Sequence, residues 1–198
     1  MSALFWSYRS GHNSQSQLTL EFLTAARVVD LKKGEADLVV RSGPIPDQDL
    51  IACSLGESGW SLYASHAYLA RHSAPPDPDD LSGHEIIGYD LTLFEVPAAK
   101  WVEQGLPRAT LALRSREMTD MLAAARSGAG LAVLPCLVAD DESTLVRVTP
   151  KVLATRQLHF VYAREARQAQ PVQAVIRFVV DVIRENSIRI AGSRSRDH

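Results

Sequence analysis

The sequence predicts an α/β fold built as two small lobes, and three observations carry that expectation. The first is the stretch "LALRSREMTDMLAAARSGAGLAVLPCLV", residues 111–138. Residues 111–114 read as a strand, Met118, Met121, Leu122 and Ala125 recur at helical spacing, and residues 131–134 read as a strand covered on both faces. Such a β-α-β unit implies parallel strands. Gly128 suits the left-handed turn that ends a helix, and Gly130 lets backbone pass close to a neighbour. The second observation is the same order at "ARVVDLKKGEADLVV", a short helix closed by Gly34 and followed by a strand ending at Arg41. The third is a late strand, "QLHFVYA", which can return toward the early region and leave the first lobe discontinuous.

The remaining elements follow from local pattern. "SALFWSYRS" has helical spacing in Leu4, Phe5 and Tyr8 and is expected as a helix, and "LTLEFL" alternates as a half-buried strand does. "LIACSLG" and "GWSLYAS" read as two strands, and "HAYLARH" as a helix capped by Ser65. "SAPPDPDDLSGH" is a surface loop, "EIIGYD" a short strand, and "AAKWVEQGLPRATLALRS" an irregular hairpin-like piece. "LVRV" is a further strand. In "PVQAVIRFVVDVIREN", Pro171 suits a first helical turn, while Val172, Val175, Ile176, Val179 and Ile183 form one apolar stripe.

Composition narrows the function. Apolar residues make up 46% of the chain and charged ones 22%, as in an ordinary globular protein. A net charge of −2 lacks the basic excess that neutralises several phosphates, so these residues alone are not expected to bind nucleic acid. The two cysteines, Cys53 and Cys136, stand far apart with no CxxC, and none of the six histidines has metal-ligand spacing, so neither a disulfide framework nor a metal is expected. No nucleotide or nucleophile motif occurs, so no cofactor and no catalytic residue are expected. The start turns polar too early for a signal peptide, and no apolar run approaches the roughly 20 residues that span a bilayer. A cytoplasmic protein without a membrane partner is the expectation.

"GEADLVVRSGP", "LIACSLGESGWSLYASHAYLARHSAPPDPDDLSGHEIIGYD" and "LAAARSGAGLAVLPCLV", in this order, resemble the effector-binding domain of LysR-type transcriptional regulators, over about residues 18–186. The resemblance implies a type 2 periplasmic-binding-protein-like fold, two Rossmann-like lobes joined by two crossing strands near residues 61–65 and 158–163. Lobe one would be residues 1–62 plus 160–191, lobe two 63–159, and 192–198 a disordered tail. It also implies a small-molecule effector between the lobes and a homodimer or higher oligomer engaging the helix in "SALFWSYRS" and the strand "LTLEFL". DNA would be held only through an N-terminal winged helix-turn-helix that this sequence does not contain. The family's first strand, with the effector-contacting loop after it, is expected to be missing as well, so the sequence reads as a fragment of a longer regulator. An enzyme or a transport-type solute-binding protein on the same scaffold is the alternative.

Ligands in open α/β sheets sit beyond the carboxyl ends of the strands, where helix starts present free N–H groups. On that rule the candidate effector contacts are Arg41, Ser42, Ser115 and Arg116, with Pro135 and Cys136 ending the last strand of the β-α-β unit, and the family resemblance adds Ser65, where the first crossing strand meets a helix. Arg41 can grip a carboxylate or simply pair with a surface acid. Ser115 and Ser65 can donate to a ligand or only cap helices. Arg116 adds charge or faces solvent, and Cys136 lines the pocket beside Pro135 or is a buried inert thiol. Trp60 and Trp101 are read as packing groups.

Overall fold

The computed structural model describes residues 3–8, 20–25, 30–43, 45 and 49–193. The chain divides into two compact units, Met1–Gly56 with Gln157–Ser187, and Glu57–Arg156 with Ile188–His198. The divisions therefore precede the crossings placed at residues 61–65 and 158–163. They fall inside two long strands, β4 (Leu50–Ser65) and β9 (Ala154–Ala163). The two strands expected in the β4 region are one strand of 16 residues. Gly56, the last residue before the division, has φ of 100°, a value that side chains resist, within this continuous strand.

In the first unit, β1 (Ala3–Tyr8), β2 (Leu20–Ala25), β3 (Leu38–Ser42) and β9 stand in the order β2-β1-β3-β9. The helix expected at "SALFWSYRS" is instead β1, antiparallel to β2 with Ala3 opposite Ala25 and antiparallel to β3 with Phe5 opposite Val39. The aromatic run Phe5, Trp6, Tyr8 favours extended backbone, and strand partners on both sides satisfy its N–H and C=O groups. The place beside β3 that was expected to lack a strand is thus held by β1, and the oligomer contact assigned to a helix there loses that helix. Residues 26–29 of the short helix expected before Gly34 lie outside the described residues. Residues 31–34 form a turn, in which Asp30 Oδ1 accepts from the amides of Lys32 (3.0 Å) and Lys33 (3.2 Å).

The β3–β9 pair is antiparallel, with Leu38 opposite Tyr162, Val39 opposite Val161 and Arg41 opposite His159. Alternation sorts the side chains. Leu38, Phe160 and Tyr162 pack with Val172, Val175 and Val179 of α5 (Gln170–Glu185), so the apolar stripe read from the sequence meets the sheet. Val39 and Val161 face the other way and pack with Leu31 and Ala36. Each such side chain removed from water contributes about 1.5–3 kcal/mol before conformational entropy is counted.

The second unit is the β-α-β design of the sequence. β5 (Glu85–Tyr89) lies between β6 (Thr110–Ser115) and β7 (Leu131–Pro135) and is parallel to both, while β4 flanks β7 antiparallel and also pairs with β8 (Leu145–Arg147). Between β6 and β7 runs α3 (Met118–Arg126), burying Met121 and Ala125 against the sheet. The left-handed turn after it is Gly128, φ 82°. A Cβ on Gly130 would come within 2.7 Å of the Glu85 carbonyl oxygen, so β5 and the start of β7 approach as closely as glycine allows. The "irregular" segment before β6 is a helix, α2 (Pro97–Gly105). Pro97 opens it, and Ala98, Ala99 and Val102 form a narrow buried stripe that too few large apolar residues announced.

Residues 188–193 belong to the second unit. Ile190 is buried, and Gly59 lies so close to Ala191 that a Cβ there would fall 2.2 Å from its carbonyl oxygen. Gly192 and Ser193, read as the start of a disordered tail, are tied back by hydrogen bonds to Arg189 and Ile188.

Candidate functional site

In the second unit the parallel strands β5, β6 and β7 end together at Tyr89, Ser115 and Pro135. Tyr89 stands opposite Ser115, and the antiparallel β4 brings Trp60 opposite Pro135. This edge carries Asp90 and Arg116, both near enough for their charges to interact, and the first turn of α3. Hydrogen bonds from Thr92 hold the Asp90 carboxyl below the usual carboxylate range, with Arg116 and Arg114 adding to the effect. The α3 start, expected to attract an anion, already has one of the chain's own. Ser115 Oγ accepts from the Glu117 amide (3.1 Å) and donates to the Asp120 carboxylate (3.0 Å), which sits in the first turn. An acidic side chain there is what the helix dipole favours, and it repels a second anion. Ser115 is thus held in a turn ahead of α3 and does not cap it, since the N-cap is Glu117, which makes no side-chain cap hydrogen bond, and the helix begins at Met118.

Ser65 does not join this edge. It ends β4 opposite Leu145, and β4 runs against β7, so Ser65 lies toward the amino end of β7 whereas Trp60 lies at the carboxyl end. A five-residue strand separates the two edges, roughly 13 Å at about 3.3 Å per residue. Ser65 Oγ accepts from the Tyr68 amide at 3.1 Å as the N-cap of α1 (His66–Leu69), and the residue is buried. Its place is structural.

Cys136 opens α4 (Cys136–Ala139) and is fully buried. Arg147 Nη2 approaches its sulfur at 3.2 Å and Nη1 donates to the Gly192 carbonyl at 2.8 Å, while Tyr63 Oη donates to Asp140 at 2.8 Å. Burial pushes the Cys136 thiol up, so it stays protonated and unreactive in this network. Pro135, half-buried, remains at the carboxyl edge, and Arg116 is exposed there.

In the first unit Arg41 and Ser42 end β3. Arg41 is half-buried, and its Nε lies out of water with no hydrogen-bond partner among the described residues. Burial also lowers its pKa. His159, directly opposite on β9, has a buried Nδ1 in the same condition. A concavity of about 680 Å³, lined by Leu31, Lys32, Gly34, Asp49, Leu50 and Glu165, opens at the other end of the β3–β9 pair, where Lys32 is already ion-paired with Asp49 at 2.7 Å.

One cluster lies next to Ser65, around Tyr68 of α1. Tyr68 Oη contacts His84 Nδ1 (3.1 Å) and Glu85 (2.9 Å), and His72 stacks on the Tyr68 ring. Burial, then the charge of His72, lowers the His84 pKa below its ordinary 6.5. The hydrogen bond from Tyr68 lowers Glu85 below 4.5, and burial pushes Tyr68 up to about 12. The unfolded chain takes up the His84 proton more readily than the folded one, so stability is full above pH 6.5 and is lost as pH falls through the folded value. Urea midpoints should drop between about pH 7.5 and about 5.5, and less so in His84→Gln. Equal slopes in the two proteins would exclude His84 as the cause.

Comparison with known proteins decides the family. The model of the LysR substrate binding domain matches residues 10–184. The chain belongs to that family. An HTH-type transcriptional regulator of Escherichia coli K12, YhjC, is 28% identical over 178 residues, covering 85% of this chain and 59% of its own length. The HTH-type transcriptional activator AaeR of the same organism is 25% identical, covering 83% and 55%. The chain thus spans little more than half the length of these relatives. The regulatory domain of CrgA, a LysR-type transcriptional regulator from Neisseria meningitidis, superposes with a TM-score of 0.64 at 21% identity, over 77% of this chain and 78% of that one. The regulatory domain of Synechocystis CcmR in complex with 2-PG gives 0.56 at 15% identity, over 77% and 76%. These likenesses show the type 2 periplasmic-binding-protein-like fold of LysR regulatory domains. Among the described residues, no helix is long and apolar enough to cross a membrane.

In this LysR domain the seven sequence-derived positions are distributed over both units. Ser115, Arg116 and Pro135 share the carboxyl edge of the second unit, Ser65 and Cys136 serve its interior, and Arg41 and Ser42 belong to the first unit. Sequence reasoning missed two donors. The Trp60 indole Nε1 at the carboxyl edge is buried without a partner among the described residues, as is His159 Nδ1. Neither belongs to a motif, and only the burial of the atom distinguishes them from packing residues.

Proposed function

We propose that the chain is the effector-binding part of a transcription regulator and that its effector is a small acid engaging Arg41. The observation that carries this is the buried, unpartnered Arg41 Nε at the end of β3. An Nε–H so placed loses its hydration and gains no compensating bond among the described residues, a cost expected where a ligand supplies the acceptor. The LysR domain of CcmR, solved in complex with 2-PG, supports a small molecule as the occupant. A ligand that prefers one conformation of the domain shifts its population toward that state, and this is the signal passed on. The rest of the parent protein would supply the winged helix-turn-helix that meets DNA, and the domain would work as a homodimer or higher oligomer in the cytoplasm. Its role is sensing, not catalysis. The relatives are transcriptional regulators, and at the carboxyl edge Ser115 is bonded to the Glu117 amide and Asp120 while Arg114 is ion-paired with Glu103.

A thermal-shift screen of small organic acids tests the reading. An acid present at about 100 times its Kd stabilises by about 2.7 kcal/mol, which moves the melting temperature by several degrees. No shift with any acid at millimolar concentration contradicts it.

A further inference from the structure

We propose that His159 is the second half of the acid-binding site, its Nδ1–H and the Arg41 Nε–H donating to the two oxygens of one carboxylate. This rests on the small-acid reading of Arg41 and extends it to a residue that no sequence pattern marks. Arg41 and His159 are direct partners in the antiparallel β3–β9 register, so their side chains leave the sheet on one face. Directly opposed residues place their Cβ atoms roughly 4.5–5.5 Å apart, within the span of one bridging carboxylate.

Toward the start of β3 that face is apolar. Val39 and Val161, two residues along each strand, lie on it and are buried with Leu31 and Ala36. Two N–H donors held beside an apolar surface, both buried and both without an acceptor among the described residues, are arranged for an acceptor from outside the domain. No acidic side chain within the described residues ion-pairs with either group. A planar carboxylate matches the pair better than a hydroxyl does, because it offers two equivalent accepting oxygens and draws on the guanidinium charge. The neutral imidazole suffices as a donor, provided the proton sits on Nδ1.

The test uses the whole chain with benzoate and succinate as probes and benzamide and succinamide as uncharged controls, titrated by calorimetry. Three variants separate the two donors. His159→Leu removes the donor and should weaken the better acid about tenfold or more, whereas His159→Asn keeps a nitrogen donor near the Nδ1 position and should stay within about threefold. Arg41→Lys keeps the charge but loses Nε, and should weaken binding about tenfold. Without ligand, His159→Leu should melt at or above the wild-type temperature, since it deletes an unsatisfied buried group.

Acid binding that His159→Leu leaves intact while Arg41→Ala removes it would overturn the pair and leave the Arg41 reading standing. A His159→Leu variant that melts several degrees lower without ligand would make the ring a structural group and equally overturn the pair. Binding of neither acid would remove the small-acid reading and this extension together.

Discussion

Replacing Arg147 by alanine should cost the domain about 3 kcal/mol of stability, the largest loss expected from any single charged residue in the second unit. Its side chain is only 1% exposed, so the guanidinium has left water almost entirely. In exchange it donates to the Gly192 carbonyl, touches the Cys136 sulfur and lies 3.8 Å from Asp140. Truncation removes all three contacts at once and leaves a carbonyl and a carboxylate facing a cavity. The lower end of the range for breaking a buried ion pair, about 3–5 kcal/mol, applies because the Asp140 side chain is 23% exposed and keeps its bond from Tyr63. Arg147→Met should lose less, since the apolar stem still fills the space. Urea denaturation of the two variants measures the difference. A loss below about 1 kcal/mol in Arg147→Ala would mean that residues 188–193 are held without it.

The second large effect is on binding. Arg41→Ala should weaken an acidic effector by about 2–5 kcal/mol, the usual cost of removing one partner of a buried charge pair, which is roughly 30-fold or more in Kd. Folding should change little or improve, because the Nε that is deleted has no acceptor among the described residues. This split between binding and stability separates a ligand-gripping arginine from a structural one. Arg147, whose Nε is also buried without a partner among the described residues but whose Nη atoms are bonded to Gly192 and Cys136, is expected to show the opposite signature, a stability loss. Calorimetric titration and melting of the same Arg41→Ala sample read both quantities. Unchanged affinity would remove Arg41 from the site.

The contrast between the two arginines also marks where the sequence stops being informative. The β-α-β unit was legible because hydrophobic period, helix stop and buried strand agree at Gly128, Gly130 and Leu131–Pro135. The α5 stripe was legible for the same reason. β1 was not, because Leu4, Phe5 and Tyr8 fit a helical spacing while strand partners decide the outcome, and those partners are distant in sequence. α2 escaped because its buried stripe is mostly alanine. Among site residues, the carboxyl-edge rule placed Ser115 and Pro135 correctly at one edge. Ser65, which the family resemblance placed beside the effector, ends at the opposite edge of the second unit's sheet because β4 is antiparallel to its neighbour.

Orphaned atoms are invisible to any pattern. Trp60 reads as a packing group and His159 as a histidine without metal-ligand spacing, and only the fold shows an indole and an imidazole nitrogen taken out of water with no acceptor nearby among the described residues. At the α3 start the fold shows the reverse. A motif that looked ready for an anion is neutralised by Asp120, in the first turn of the helix. The acid-binding role is therefore proposed for the first unit, where Arg41 has no such acidic partner among the described residues.

The most direct measurement is a crystal structure of the domain soaked with whichever organic acid raises its melting temperature most. The carboxylate should lie within about 3 Å of Arg41 Nε, with His159 Nδ1 as its second donor. An acid seated elsewhere, with the Arg41 side chain turned to solvent, would contradict the account.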